Sequence, residues 1–203
     1  GKIHLDPGKE NNPSSGYRSA FNHSSEKAEP GFYSVMLEDN NILAEMTTTL
    51  RCGFHRYTFP RSDSAHILFD LTHGLGDRTT ESVITISGPN EITGMRRSSG
   101  WAKDQTVYFI AQFSQPFRSE KVYEDNILLE GAATAKGENV KAVLSFGAVP
   151  DRPILVRVAL SSVDGFGARK NLSAELGNYW DFDGVKEHAQ LTWEKELSAI
   201  EVE

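Results

Sequence analysis

The sequence predicts a large two-sheet antiparallel β-sandwich with helices at its C-terminus. Three observations carry this. Short runs of alternating apolar residues recur from residue 32 to residue 161, and turn residues punctuate them. No helical period separates one run from the next, which argues against a parallel α/β sheet. After residue 163 the apolar period lengthens from two to between three and four, the change from strand to helix.

The first thirty residues are loop chemistry, with Pro7, Gly8, Asn11, Asn12, Pro13 and Gly16 close together. Runs 32–37 and 42–50 flank Asp39, Asn40 and Asn41. These residues tolerate the left-handed backbone of a tight turn, so the pair reads as a β-hairpin. In the second run Ile42, Ala44 and Met46 share one face, while Glu45, Thr47 and Thr49 share the other. Further strands are predicted at 54–59, 66–71, 82–87, 91–97, 105–114, 118–124, 140–146 and 154–161. The turns between them are marked by Pro60-Arg61-Ser62-Asp63, Gly88-Pro89-Asn90, Lys136-Gly137-Glu138-Asn139 and Pro150-Asp151-Arg152-Pro153.

About ten strands exceed what an immunoglobulin-type domain needs, so a larger sandwich is expected over residues 1–162. Residues 163–203 read as a helical linker. Segment 164–177 places Ala168, Leu172 and Leu176 four apart, and segment 183–200 aligns Val185, Ala189, Trp193, Leu197 and Ile200 in one stripe. Asp183 is the expected N-cap of the second helix.

With 203 residues the chain can bury a sizeable core in one domain or two small ones. A net charge of −7 and the absence of a basic block exclude a nucleic-acid role. No apolar run approaches the roughly 18 residues of a membrane span. The lone Cys52 has no disulfide partner and no companion for a thiolate zinc site. A start at Gly1, and an end directly after a helical segment, read as a piece cut from a longer protein, with localisation signals outside it.

Stretch 53–74 concentrates polar chemistry, including His55, His66 and His73. Their spacings of eleven and seven, two of them within strands of period two, do not make a metal-ligand pattern. Gly74-Leu75-Gly76 lacks the third glycine and the following helix of a phosphate loop. Asp181 and Asp183 fall short of an EF-hand set, and helix capping explains Asp183. No nucleophile elbow is present. Any pair among 28 acidic residues is chemically equivalent at this level. The residues alone assign no catalytic, cofactor-binding or metal-binding group.

Several stretches in order resemble bacterial α-mannosidases of glycoside hydrolase family 92, of the α-1,2-mannosidase type. They begin with Tyr17-Arg18-Ser19-Ala20-Phe21-Asn22-His23, Glu26 and Pro30-Gly31-Phe32-Tyr33. Gly53-Phe54-His55-Arg56-Tyr57-Thr58-Phe59-Pro60 and Ile67-Leu68-Phe69-Asp70-Leu71 follow. Gly100-Trp101-Ala102-Lys103-Asp104-Gln105 and Phe113-Ser114-Gln115-Pro116-Phe117 continue the series. It closes on Lys170-Asn171-Leu172-Ser173-Ala174-Glu175 and residues 189–197 with Trp193.

The resemblance implies an N-terminal sandwich of the galactose mutarotase type, joined to a C-terminal (α/α)6 barrel. It also implies a calcium-dependent, inverting parent enzyme that removes terminal α-linked mannose from glycans and is periplasmic or secreted. The carboxylates and most calcium contacts are expected in the barrel, beyond Glu203, and a glycine-rich segment before Gly1. The implied role of this chain is a non-catalytic scaffold without a cofactor of its own. Trp180 and Trp193 are candidates for the junction with the barrel. Two alternatives stand beside it. An autonomous carbohydrate-binding module would use Trp101, and a mutarotase-like enzyme would use His23 with Glu26, or His55. Finding these residues apart, or pointing into the core, would end the latter.

Overall fold

The computed structural model describes residues 3–9, 12, 15–148 and 152–199. Asn11, Pro13, Pro150, Asp151 and Ile200, named above as loop, turn and stripe residues, lie outside them.

Two antiparallel sheets are built from the described residues. The larger comprises β1 (Lys27–Glu29), β2 (Phe32–Leu37), β3 (Ile42–Thr48), β4 (Cys52–Thr58), β6 (Arg78–Gly88), β7 (Glu91–Ser99), β8 (Gln105–Phe113), β11 (Thr134–Gly137) and β13 (Ile154–Ser161). Its order is β1-β2-β3-β4-β13-β8-β7-β6-β11. The smaller comprises β5 (Ser62–Asp70), β9 (Ser119–Glu124), β10 (Ile127–Leu128) and β12 (Val140–Ala148), in the order β10-β9-β12-β5. Helices α1 (Gly165–Glu175) and α2 (Phe182–Leu197) follow.

The ten expected strands are present, joined by the short β1, β10 and β11. Ser62 and Asp63, expected in a turn, open β5 because β12 is long enough to bring Ala148 opposite Ser62. Likewise β6 starts at Arg78, which Ser99 of β7 pairs. In the first hairpin Asn41 takes φ 51, the left-handed turn position its side chain tolerates.

Strand alternation sorts the side chains into two cores. Between the sheets, Ile84, Ile92, Ala111, Phe113, Leu144 and Phe146 are buried. On the other face of the large sheet, Phe32, Phe54 and Ile110 meet Leu172 of α1 and Phe182 of α2. Asp164 caps α1, its carboxylate accepting from Gly167 N at 2.6 Å.

The cap of α2 is Asp181, whose carboxylate accepts from Gly184 N at 3.0 Å, and not Asp183. Phe182 packs edge-on against Phe54, and its burial moves the cap two residues upstream of Asp183. Asp183 instead accepts from Arg56 Nη1 at 2.9 and 3.0 Å, while the same guanidinium grips Glu45 at 2.6 and 2.7 Å. This ties α2 to β3 and β4.

Only the first half of the predicted stripe on α2 is used. Val185 and Ala189 pack on the sandwich, whereas residues 191–199 are all exposed, Trp193 and Leu197 among them. Gly31, at φ +78 in the β1–β2 turn, admits the helix closely: a Cβ there would lie 3.0 Å from that of Ala189.

The N-terminal segment covers the outer face of the small sheet. Lys141 on β12 is buried there, donating to Asp6 at 3.0 Å and Asn126 at 2.7 Å. Tyr17 donates to Asp70 at 2.9 Å. A buried ammonium needs such partners.

Candidate domain-contact surface

The strand registers bring four connections to one end of the sandwich. Thr48 pairs with Gly53, Ser98 with Gln105, Arg78 with Ser99, and Ser161 with Tyr108. The β3–β4, β5–β6, β7–β8 and β13–α1 connections therefore share that end. Their tips are apolar, against the ordinary chemistry of turns. Leu50 is 88% exposed, Leu75 104%, Trp101 102% and Phe166 75%. Leu50, Val107, Leu160, Val163 and Phe166 line one open concavity of about 1100 Å³. Leu75 and Trp101 flank a smaller one of about 210 Å³.

These tips are held from behind. Glu175 of α1 accepts from Thr49 Oγ1 at 2.5 Å, from Arg51 N at 2.9 Å and from Arg51 Nε at 2.7 Å, pinning the residues on either side of Leu50. Arg96 donates to both oxygens of Asp77 at 2.6 and 3.0 Å and to Leu71 O at 2.8 Å. Hydrogen bonds from Arg96 and then Ser98 hold the Asp77 carboxyl down at about 2, so it is ionised at any ordinary pH. Arg97 grips Asp104 at 2.5 and 2.7 Å, and Gln105 donates to Ser98 at 3.1 Å. Gly100 sits where a Cβ would lie 2.8 Å from Gly76 O, so the loops bearing Leu75 and Trp101 are locked together.

The sequence candidates fall elsewhere, Trp101 excepted. His23 and Glu26 do meet, at 2.6 Å, on a capped 3-10 turn spanning His23–Ser25. Tyr33 donates to the other Glu26 oxygen at 2.6 Å. The Tyr33 and then the His23 hydrogen bond lower the Glu26 pKa, the wrong direction for a general acid. Neither concavity is lined by this group. His73 bonds Asp70 at 2.7 Å in the loop after β5, and His66 stays within β5. Trp180 packs on this chain's own core, beside Phe54 and 4.0 Å from the Arg157 guanidinium. Trp193 is 49% exposed on the free half of α2.

His55 lies half-buried on the same face of β4 as Tyr57 and shares a 2.9 Å hydrogen bond with it. Burial lowers its pKa below 6.5 and pushes the Tyr57 phenol up to about 12. A histidine whose folded pKa is depressed leaves stability intact above 6.5 and erodes it as pH falls below that value, because the unfolded chain binds the proton more readily. His55→Gln, which cannot titrate, is expected to lose less stability than the parent between pH 6.5 and about pH 5 in urea titrations. Parallel losses in the two proteins would refute a buried, neutral His55.

The apolar end is what sequence reading missed. Its signal was present, as large apolar residues at turn positions: Leu50 before Arg51, Leu75 between two glycines, Trp101 after Gly100.

Comparison with known proteins decides the family. The family model described as the glycosyl hydrolase family 92 N-terminal domain matches residues 1–161. The chain belongs to glycosyl hydrolase family 92. A solved family GH92 α-mannosidase of Bacteroides thetaiotaomicron, in complex with mannoimidazole, superposes with a TM-score of 0.93 at 33% identity. The match covers 98% of this chain and 27% of that enzyme. A GH92 inverting mannosidase of the same species shares the fold, with a TM-score of 0.81 at 23% identity, over 91% of this chain and 24% of its own. An uncharacterized secreted glycosidase of Arthroderma benhamiae is 27% identical over 195 residues, 86% of this chain and 25% of that protein. This GH92 chain thus spans about a quarter of the length of its relatives.

Proposed function

We propose that this chain is the N-terminal sandwich domain of a secreted or periplasmic exo-acting α-mannosidase and carries no catalytic group itself. The observation that supports this reading is the superposition of nearly the whole chain on 27% of an α-mannosidase. The rest of such a polypeptide supplies the reaction centre. There a general acid protonates the glycosidic oxygen of a terminal α-linked mannose while a general base activates water on the opposite face, inverting the anomeric centre.

Calcium is assigned to that centre too. Among the described residues no three His, Cys, Asp or Glu side chains come together to hold a metal ion. The described residues thus offer no cluster of acidic side chains for a calcium ion, which takes six to eight oxygen ligands, and we assign no ligand among them. The secreted relative supports export, and none of the described helices is long and apolar enough to cross a membrane.

The full exposure of Trp101 favours one second reading, a carbohydrate-binding module that stacks a sugar on the indole. Calorimetric titration of the chain with mannose and with an α-1,2-linked mannobiose, with and without calcium, separates the two. No heat beyond dilution is the expected result. Saturable heat that vanishes in Trp101→Ala would make the chain a binding module instead.

A further inference from the structure

We infer that Lys141 and Asn126 form a receptor for one carboxylate on the outer face of the small sheet, with Asp6 as its tethered, displaceable occupant and the anion of a small carboxylic acid as the external ligand that replaces it. This goes beyond the proposed function and does not depend on it.

The receptor is built into the sheet. Lys141 lies on β12 between Tyr123 of β9 and Asp70 of β5, and its side chain is only 1% exposed. An ammonium so placed needs an anion. Asp70 is its neighbour by register but is already committed. Thr72 N donates to it at 2.8 Å, Tyr17 donates at 2.9 Å, and His73 Nδ1 lies at 2.7 Å. Among the described residues the carboxylate that pairs with Lys141 is Asp6, at 3.0 Å. Asn126 completes the seat from the turn between β9 and β10, where Asp125 and Asn126 take φ 49 and 62, the left-handed pair of a tight hairpin. Lys141 Nζ donates to Asn126 Oδ1 at 2.7 Å. That turns the amide so that Nδ2 donates to both Asp6 oxygens, at 3.2 and 3.0 Å. One cation and one amide spanning two oxygens match a single carboxylate. The Lys141 hydrogen bond holds the Asp6 carboxyl below 3.8 against the opposing effect of burial, and Asn126 assists, so the seat favours the anion over the acid.

Receptor and occupant are held with unequal firmness. Lys141 belongs to a central strand and Asn126 to a hairpin turn, whereas Asp6 rides on residues 3–9, which join neither sheet. The Asp6 side chain is 62% exposed. Its backbone carbonyl, which accepts from Tyr17 N at 2.9 Å, ties the segment back only to another part of the same N-terminal stretch. The solvent side of the carboxylate is therefore open, and a free acid reaches the same donors once Asp6 swings out. Tethering gives Asp6 an effective concentration on the order of millimolar, so the seat stays closed until an external acid outcompetes it. Displacement would free residues 3–9 from the small sheet.

Amine labelling of Lys141, read by mass spectrometry against the exposed Lys121 of β9, tests this. In the parent chain Lys141 should react at least about tenfold more slowly than Lys121, and Asp6→Ala should raise its rate about tenfold. Sodium acetate at about 100 mM should then slow Lys141 labelling in Asp6→Ala about threefold, as a ligand with a Kd of about 50 mM does. Sodium chloride at the same ionic strength should not. Adding Asn126→Ala to Asp6→Ala should abolish the acetate effect. Far-UV circular dichroism checks that each variant is folded, and Asp6→Ser carries the same test if the alanine variant is not. Sodium glucuronate sorts the ligand class, and either result supports the receptor: protection equal to that of acetate extends the seat to acidic sugars, and protection by acetate alone confines it to small acids. Unchanged Lys141 reactivity in Asp6→Ala would overturn the inference. So would equal protection by acetate and chloride, which is screening only, or acetate protection that persists without Asn126.

Discussion

Replacing Arg157 with alanine is expected to destabilise the chain by about 2–4 kcal/mol, the cost of leaving buried neutral acceptors without their charged donor. Arg157 lies on β13 facing the helices, almost wholly buried. Its Nη1 donates to Gly177 O and Tyr179 O, both at 2.9 Å, and its Nη2 to Gln112 at 2.7 Å. The guanidinium carbon lies 4.0 Å from the centroid of the Trp180 ring. One side chain therefore satisfies the carbonyls of the α1–α2 connection and clamps it to the large sheet. Alanine leaves those carbonyls without a donor. Lysine does not restore the clamp, because one ammonium cannot reproduce a planar fork stacked on an indole. Burial lowers the Arg157 pKa, yet a guanidinium remains charged throughout the working range, so the loss should not depend on pH. In a urea titration of Arg157→Ala, the helical far-UV signal and the Trp180 fluorescence should be lost before the sheet signal. Coincident transitions at the parent midpoint would show that α1 and α2 hold without it.

That clamp also marks a limit of sequence reading. Strand positions were legible where polar and apolar side chains alternate, as in β3, where Ile42, Ala44 and Met46 face away from Glu45 and Thr47, although Ala44 and Thr47 are buried on opposite faces. Asn41 was legible from turn chemistry. The short β10 and β11 carry too few residues for a period, and they exist because longer neighbours pair with them. The assignment of strands to two sheets depends on long-range pairing, such as β13 lying between β4 and β8, which local pattern does not encode. Asp181 and Asp183 are equivalent caps by composition. Tertiary burial of Phe182 and the pairing of Asp183 with Arg56 choose between them. The stripe on α2 reads as one continuous apolar face, and only tertiary packing shows that it is covered as far as Ala189 and leaves Trp193 outside. As for the surface, turn composition was read for where the chain reverses, not for what the tips display. Leu50, Leu75 and Trp101 become one feature only after register brings their loops to the same end.

Phe113→Ala should cost a similar amount, about 3–5 kcal/mol, but with the opposite signature. Phe113 ends β8 and is fully buried in the inter-sheet core. Its ring lies 5.9 Å from Phe69 of β5, 5.5 Å from Phe146 of β12 and 5.2 Å from Phe117. Phe113 thus contributes the large-sheet member of an aromatic cluster that bridges the two sheets, and each edge-on pair adds to its area burial. Removing the ring opens a cavity where two rigid sheets meet, and sheets cannot collapse into it as a loop would. The backbone there is held independently by Phe113 N donating to Asn90 O at 2.9 Å and Asn90 Nδ2 donating to Phe113 O at 2.9 Å. The loss is therefore one of packing, not of strand pairing. Because both sheets share this core, Phe113→Ala should lower the midpoints of the sheet and helix signals together. If instead the helices detached first, as expected for Arg157→Ala, loss of the inter-sheet ring would act through the helix layer, and the assignment of Phe113 to a separate packing layer between the sheets would be wrong.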